Sequence, residues 1–128
     1  MPLRVTNQTR AKILADRALE AKSFSDRFIG LMGKKKLDFG EGLHIVPCNS
    51  IHTFFMRIAI DALFLNRERK VVKVYGALPP WRLSGIFFSA RSVLELPAGT
   101  ADASGTLAGD QLFFEQIEQP GDRMHQGL

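Results

Sequence analysis

The sequence predicts a mainly β protein, a compact single-domain β-sandwich or barrel with one or two short helices. Two observations lead to this fold class. From Gly42 onward, short runs rich in β-branched and aromatic residues alternate with polar turns or turns that contain glycine or proline. The 128 residues are 45% hydrophobic and 23% charged, an ordinary globular composition with enough chain for one core. We therefore expect one β-rich domain over residues 1–118, followed by a polar C-terminal tail over 119–128.

The N-terminal part of the chain contains one predicted strand and one ambiguous segment. Leu3 to Asn7 mixes apolar and polar residues as a strand does. Between Ala11 and Glu20, apolar residues recur at i, i+3, i+4, i+7 and i+8, a pattern that by itself predicts an amphipathic helix. Ser25 to Met32 predicts a short helix, because Ser23 or Ser25 can cap its first turn and Gly30 or Gly33 can end it.

The rest of the chain predicts strands separated by turns. Asn66 to Lys70 is polar and predicts a hairpin connection, and Pro79-Pro80 predicts a turn. Thr100 to Gly105 is rich in small residues and predicts a single helical turn. The predicted strands are Leu43 to Val46, Phe54 to Met56, Ile60 to Leu65, Val71 to Tyr75, Arg91 to Leu96 and Gln111 to Glu118.

The cysteine content and the hydropathy of the chain limit where the protein works. Cys48 is the only cysteine, which excludes an internal disulfide framework and is typical of a reducing compartment. No stretch reaches the ~18 apolar residues that a membrane span requires, and the first residues lack the apolar region of a signal peptide. We therefore expect a soluble cytoplasmic protein with no membrane association.

Charge is distributed unevenly along the chain. Residues 1–75 carry 14 basic and 7 acidic side chains, a balance of +7, whereas residues 76–128 carry 3 and 6, a balance of −3, and the two sum to +4. A basic region attracts anionic partners over a long range. The densest basic run, Lys34 to Lys36, follows Gly33 and predicts a solvated loop tip. Because basic residues are not interleaved with exposed aromatics, we expect no nucleic-acid partner.

Two histidines and the cysteine are spaced four residues apart, as His44, Cys48 and His52. All three can bind metals, but residues four apart in a strand are roughly 13 Å from each other, too far to share an ion. We therefore predict no metal site. A turn at Pro47 could instead pair Cys48 with His52 as a thiolate nucleophile and its base, the alternative being a cysteine packed as a small hydrophobe. No glycine-rich phosphate loop or dinucleotide motif occurs, so no cofactor is expected.

Three charged residues are set within apolar sequence: Arg57, Asp61 and Glu95. A charge in such a run must face solvent, pair with a partner or serve a site, because unpaired burial costs several kcal/mol. One interpretation is a structural ion pair between neighbouring strands. The other is a polar cluster at a cleft, in which Arg57 holds an anionic group.

Several short motifs follow one another along the chain. They are Gly30-Leu-Met, Gly42-Leu, His52-Thr-Phe-Phe-Met-Arg, Ile60-Asp, Val71-Val, Pro79, Ala90-Arg-Ser-Val-Leu-Glu-Leu, Gly99 and Gly109-Asp. In this order they resemble the domain of unknown function 192 family, over about Val5 to Glu118. This resemblance implies a compact, mainly β fold, and it implies that Ala11 to Glu20 is a strand, which overrides the helical pattern. The family has no established activity, so the resemblance implies no catalytic role for any residue. One departure is Ile58, where the commoner family pattern has a polar residue.

The leading functional hypothesis is a non-catalytic module that binds a small polar or anionic ligand in a cleft near His52, Arg57 and Asp61. Arg57 would contact the anion, His52 would donate a hydrogen bond, and Asp61 and Glu95 would orient the basic groups. Two other classes of function stay open. One is a hydrolase that uses Cys48–His52 or a bound metal, and the other is a module whose exposed aromatics, such as Trp81, dock another protein.

Overall fold

The structure is a computed structural model that describes residues 2–23, 31 and 33–117 of the chain. Within these residues it contains seven strands and one short helix. They are β1 (Leu3–Asn7), β2 (Lys12–Ala21), β3 (Gly40–Ile45), β4 (Ile60–Leu65), β5 (Val71–Leu78), β6 (Ser92–Pro97), α1 (Thr100–Ser104) and β7 (Leu112–Gln116).

The strands form one sheet in the order β5-β4-β6-β3-β2-β1-β7, which curls into a half-barrel. Only β2 and β3 pair in parallel, and the other neighbours are antiparallel. The two edges of the sheet meet at one end. There the Gly109 N–H donates to the Val71 carbonyl (2.7 Å), and the Leu112 N–H donates to the Arg69 carbonyl (3.0 Å). The mainly β fold class is thus confirmed.

β2 confirms the strand that the family resemblance implied, and the helical pattern was misleading. Opposite β1, Ala18 faces Leu3 and Ala15 faces Val5, so four residues of β2 lie opposite three of β1, and a second register shift follows between Val5 and Thr6. Such a β-bulge interrupts the alternation of a strand. The buried residues of β2 are therefore Leu14, Ala15, Ala18 and Ala21. Their spacings of one, three and three resemble those of the apolar face of a helix.

β4 is buried along its whole length because both faces of the sheet are covered there. One row of its side chains, with Leu63 and Leu65, packs inside the curl of the sheet, which we call the inner face. The other row, with Ile60, Ala62 and Phe64, packs on the outer face. Residues 46–59 and 79–91, which we call the outer cap, contribute Ile51, Met56 and Ala90 to that outer cluster.

The predicted strand from Phe54 to Met56 is wrong, because this segment forms a turn of the outer cap. The buried side chain of Thr53 explains the turn. Its hydroxyl donates to the Pro79 carbonyl (2.6 Å) and accepts the Arg82 N–H (2.8 Å). A side chain that bonds the backbone in this way competes with the hydrogen bonds of a strand.

Other sequence predictions are confirmed. The first strand and β4 have the predicted bounds, and Thr100–Ser104 is helical. In the hairpin after β4, the Asn66 side chain accepts the N–H groups of Glu68 (3.0 Å) and Lys70 (2.9 Å). The predicted helix over 25–32, apart from Leu31, and the predicted tail over 119–128 lie outside the described residues. No helix in the described part of the chain has the length and apolar character needed to span a bilayer.

Candidate functional site

Asp61 is a buried carboxylate on the inner face of β4, with 1% of its surface exposed. Its Oδ1 accepts the N–H groups of Ala77 (2.8 Å) and Gly99 (3.2 Å), and its Oδ2 accepts that of Ala101 (2.7 Å). The first N–H groups of a helix have no partner within it, and Ala101 lies in the first turn of α1. Asp61 therefore joins β4 to the end of β5 and the start of α1.

Glu95 is a buried carboxyl group of β6. It lies opposite Leu43 of β3 and Ala62 of β4, and 3% of its surface is exposed. Within residues 2–23, 31 and 33–117, its buried Oε1 has no hydrogen-bond partner. Burial raises the pKa of Glu95 to about 8. The carboxyl group is therefore mostly protonated near neutral pH.

Asp61 and Glu95 point to opposite faces of the sheet. Asp61 pairs with Leu96, and Glu95 pairs with Ala62 one position away. Because successive side chains of a strand alternate between faces, the two carboxyl groups are separated by the sheet. The outer cap, which contains the other two predicted ligand-binding residues, lies on the side of Glu95. The four predicted residues therefore do not share one face.

His52 and Arg57 both belong to the outer cap. His52 forms a β-bridge with Leu83, and its Nδ1 accepts the N–H of Phe54 (3.2 Å). A neutral ring that accepts at Nδ1 carries its proton on Nε2. Arg57 follows the buried Met56 and is exposed. Of the predicted site residues, the cap therefore contains the His52 imidazole and the exposed Arg57 guanidinium.

Cys48 lies in the outer cap beside a surface pocket of about 420 Å³. Its thiol donates to the Ser50 carbonyl (3.0 Å), and its backbone N–H donates to the Arg91 carbonyl (2.9 Å). The nucleophilic pair of Cys48 with His52 stays a prediction. The pocket is lined by Pro47, Cys48, Asn49, Phe88, Ala90 and Arg91.

Metal-capable side chains are dispersed over the two faces of the sheet. Among residues 2–23, 31 and 33–117, no three His, Cys, Asp or Glu side chains converge as metal ligands would. His44 is part of β3 and fully buried, whereas His52 belongs to the outer cap.

From the sequence, His44 was a candidate only for metal binding. In the structure it packs in a buried stack with Arg69 and Phe114. Its Nε2 lies 2.9 Å from Arg69 Nη1, and its ring lies 4.4 Å from that of Phe114. The Arg69 guanidinium lies 4.6 Å from the same Phe114 ring. Burial lowers the pKa of His44 to about 3, and the charges of Arg69 and Lys22 act in the same direction. His44 is therefore neutral and accepts the arginine N–H. The sequence indication of this buried position was that His44 lies among apolar residues of a predicted strand.

Asp110, in the Gly109-Asp motif, is a second carboxylate with a full set of partners. Its Oδ2 accepts from Arg10 Nε (2.9 Å), Asn7 Nδ2 (3.0 Å) and the Leu107 N–H (3.0 Å). The hydrogen bond from Arg10, assisted by those from Asn7 and Leu107, holds the pKa of Asp110 at about 2. These contacts connect the ends of β1 and β7, so this motif serves the fold.

Comparisons with known proteins agree on one group of relatives. A family model described as DUF192, "Uncharacterized ACR", matches residues 5–114. A UPF0127 protein of Pyrococcus furiosus is 36% identical over 114 residues, covering 87% of this chain and 97% of that protein. A UPF0127 protein of Thermococcus sibiricus is 33% identical over 118 residues, covering 88% of this chain and 75% of that protein.

A solved structure shows the same fold. The crystal structure of a protein of unknown function from Novosphingobium aromaticivorans matches with a TM-score of 0.76 and 22% identity. The match covers 88% of this chain and 84% of that one. At this identity the likeness extends to the fold alone.

Proposed function

The chain belongs to the DUF192 family, an uncharacterised family, and on that premise we propose that it is a non-catalytic module that binds a small polar or anionic ligand. The proposed site is the outer face of the sheet at Glu95. Asp61, whose two oxygens already accept three backbone N–H groups on the inner face, is not part of it.

The observation that carries this proposal is the unpartnered Oε1 of Glu95. Buried polar atoms nearly always have a hydrogen-bond partner, and leaving one without costs about 1–3 kcal/mol. A bound ligand would supply the missing partner. Perturbed and desolvated titratable groups are also more frequent at functional sites than elsewhere.

The chemistry of Glu95 favours a ligand that accepts a hydrogen bond. With its pKa raised to about 8 by burial, the carboxyl group is protonated at neutral pH and can donate. A carboxylate, phosphate or carbonyl oxygen would accept that hydrogen bond without like-charge repulsion. Arg57, exposed in the outer cap, would attract an anion over a longer range.

Thermal-shift measurements with acetate, phosphate and neutral acetamide test the proposal. We expect at least one probe to raise the melting temperature of the wild type at pH 6. For the anions this rise should diminish above about pH 8, because Glu95 then ionises, ceases to donate and repels them.

A matched pair of variants locates the effect. Glu95→Gln keeps a hydrogen-bond donor and should retain part of the stabilisation, independent of pH. Glu95→Met has a similar length without polar atoms and should abolish it. A shift that persists in Glu95→Met, or that is equal at pH 6 and pH 9, would contradict the proposed site. Arg57→Ala should weaken anion binding only.

The remaining hypotheses have separate tests. If Cys48 were a nucleophile, iodoacetamide would alkylate it faster than a free thiol near neutral pH, and His52→Ala would remove that excess. The cytoplasmic location also stays a prediction, which localisation of the full chain in cells would test.

A further inference from the structure

The outer cap exposes an unusual concentration of large apolar side chains. Ten such side chains are exposed in the described part of the molecule, and half of them belong to the cap. Their exposed fractions are 60% for Phe55, 57% for Trp81, 70% for Leu83, 61% for Ile86 and 89% for Phe88. Single exposed apolar residues are common on proteins, but a concentration of this kind marks an interaction surface.

Backbone pairing holds four of these residues on one ribbon. The segment 48–53 runs antiparallel to 81–91, with a bridge between His52 and Leu83. At one end the Thr53 N–H donates to the Arg82 carbonyl (2.8 Å), and near the other the Phe87 N–H donates to the Asn49 carbonyl (3.0 Å). The exposed side chains are therefore carried by an ordered scaffold.

Two of the aromatic residues adopt a backbone conformation that favours glycine. Phe55 has a φ of 66° and Trp81 a φ of 64°. The left-handed region costs a non-glycine residue roughly 1–2 kcal/mol. Their rings lie 4.8 Å apart, yet both remain more than half exposed, so burial returns little of that cost. The strain holds two aromatic rings at the surface.

The charge of the cap has one sign. Residues 46–59 and 79–91 contain Arg57, Arg82 and Arg91 and no aspartate or glutamate. All three arginines are exposed. Elsewhere in the chain, acidic residues balance most of the basic ones, since the total charge is only +4.

We propose that the outer cap docks the protein on an anionic lipid surface. Trp, Phe, Leu and Ile side chains next to arginines are the composition of membrane-interface elements, in which apolar groups enter the headgroup region and cations contact lipid phosphates. The cytoplasmic leaflet carries the anionic lipids that this charge would match. The inference goes beyond ligand binding at Glu95. It also departs from the sequence expectation of no membrane association, which considered only spanning segments and signal peptides.

The exposure of the side chains favours a lipid surface over a protein partner. Leu83 and Phe88 have 70% and 89% of their surface exposed, so they project from the loop. A protein partner would have to offer pockets shaped to receive these side chains. Projecting apolar side chains can enter a fluid bilayer without a preformed complementary pocket.

Vesicle binding of the full chain tests the proposal, and Trp81 is the only tryptophan, so its fluorescence reports on the cap alone. With vesicles of phosphatidylcholine and phosphatidylserine at low salt, we expect co-sedimentation and a shift of the emission to shorter wavelength. Vesicles of phosphatidylcholine alone should bind much less, and raising the salt should release the protein.

Variants inside and outside the cap distinguish binding through the cap from attraction by the overall positive charge of the protein. Arg82→Glu and Arg91→Glu should each lower the partition coefficient by about fivefold or more. Lys12→Glu makes the same charge change in β2 and should alter it by less than about twofold. Likewise, Leu83→Ala with Phe88→Ala should weaken binding strongly, whereas Ile13→Ala, at a position that is 62% exposed, should not.

Three results would overturn the proposal. The first is that the protein does not bind anionic vesicles at low salt. The second is that Lys12→Glu and Arg82→Glu weaken vesicle binding equally, and the third is that the protein binds without a change in Trp81 emission. A Trp81 shift caused by soluble polyglutamate but not by vesicles would indicate an acidic protein partner instead. All substituted residues are exposed, and circular dichroism of each variant verifies that it folds.

Discussion

Asp61 and Glu95 offer a comparison between the two faces of one sheet. They lie on the neighbouring strands β4 and β6, one register position apart, and both are almost completely buried. On the inner face, Asp61 accepts three backbone N–H groups. On the outer face, the Oε1 of Glu95 has no partner, and burial raises its pKa to about 8. Similar carboxyl groups in similar sequence contexts thus have different hydrogen-bond environments.

The same contrast extends to the surroundings of each group. On the inner face, His44 and the network at Asp110 have specific partners within the described part of the chain, although the buried Ser92 hydroxyl has none there. The outer face is covered by loops that leave large apolar side chains exposed. We infer that the inner face maintains the fold and that the outer face is where functional groups should be sought.

Of the two carboxyl groups, Asp61 should show the larger loss of stability when it is substituted. Asp61→Asn keeps the size but removes one acceptor oxygen, so at least one buried N–H loses its partner. We expect a loss of about 3–4 kcal/mol in the free energy of unfolding, measured by urea denaturation.

A surface carboxylate provides the control for Asp61. Glu115 pairs with Arg4 at 3.1 Å, with 39% and 43% of the two side chains exposed. Glu115→Gln should change the unfolding free energy by no more than about 0.5 kcal/mol. If both variants lost the same small amount, the structural role of Asp61 would be refuted.

Glu95→Gln should raise the free energy of unfolding, whereas Asp61→Asn should lower it. Because the folded-state pKa lies above the ordinary value of 4.5, wild type and variant should be similarly stable below pH 4.5. As the pH rises toward about 8, the unfolded state ionises first and the wild type loses stability relative to the variant. At pH 7 the variant should be more stable by about 2–3 kcal/mol.

Chemical denaturation from pH 4 to pH 9 measures this difference. A difference that did not grow with pH would mean that Glu95 is ionised in the folded protein, and the contrast with Asp61 would fail.

Asp110 should show the pH dependence expected of a stabilised carboxylate. Its pKa is lowered from the ordinary 3.8 to about 2 by its hydrogen bonds, first of all that from Arg10. Its contribution is therefore complete above about pH 4 and is lost as the pH falls through 2. Asp110→Asn should cost about 1–2 kcal/mol at pH 7. In acid titrations followed by circular dichroism, this cost should shrink toward pH 2; a constant cost would contradict the assigned charge.

The smallest expected effect belongs to the exposed side chains of the outer cap. Phe88 is 89% exposed, so Phe88→Ala should change the unfolding free energy by less than about 0.5 kcal/mol. Phe64, fully buried against the same face of the sheet, is the matched control and should lose about 3–5 kcal/mol as Phe64→Ala. A large loss for Phe88→Ala would mean that the cap residue serves folding.

Local sequence patterns predicted much of the sheet but not its irregularities. The predicted strand from Arg91 to Leu96 agrees with β6, in which Ser92, Leu94 and Leu96 alternate with Val93 and Glu95 between the two faces. The apolar periodicity wrongly predicted a helix at β2. A β-bulge changes the alternation of a strand, so that its apolar residues have the spacing of a helix. The family resemblance, now confirmed, identified that strand correctly.

The amino-acid sequence alone predicts a mainly β protein and singles out Asp61 and Glu95 as charged residues among apolar neighbours. The hydrogen-bond partners of these two groups follow only from the three-dimensional fold. The partners of Asp61 come from residues 77, 99 and 101, which are 16 to 40 positions away along the chain. Glu95 lies on the face that the outer cap covers, and its Oε1 has no partner. The alternation of a strand is local and can be predicted from neighbouring residues, whereas what covers each face depends on segments brought there by the whole fold.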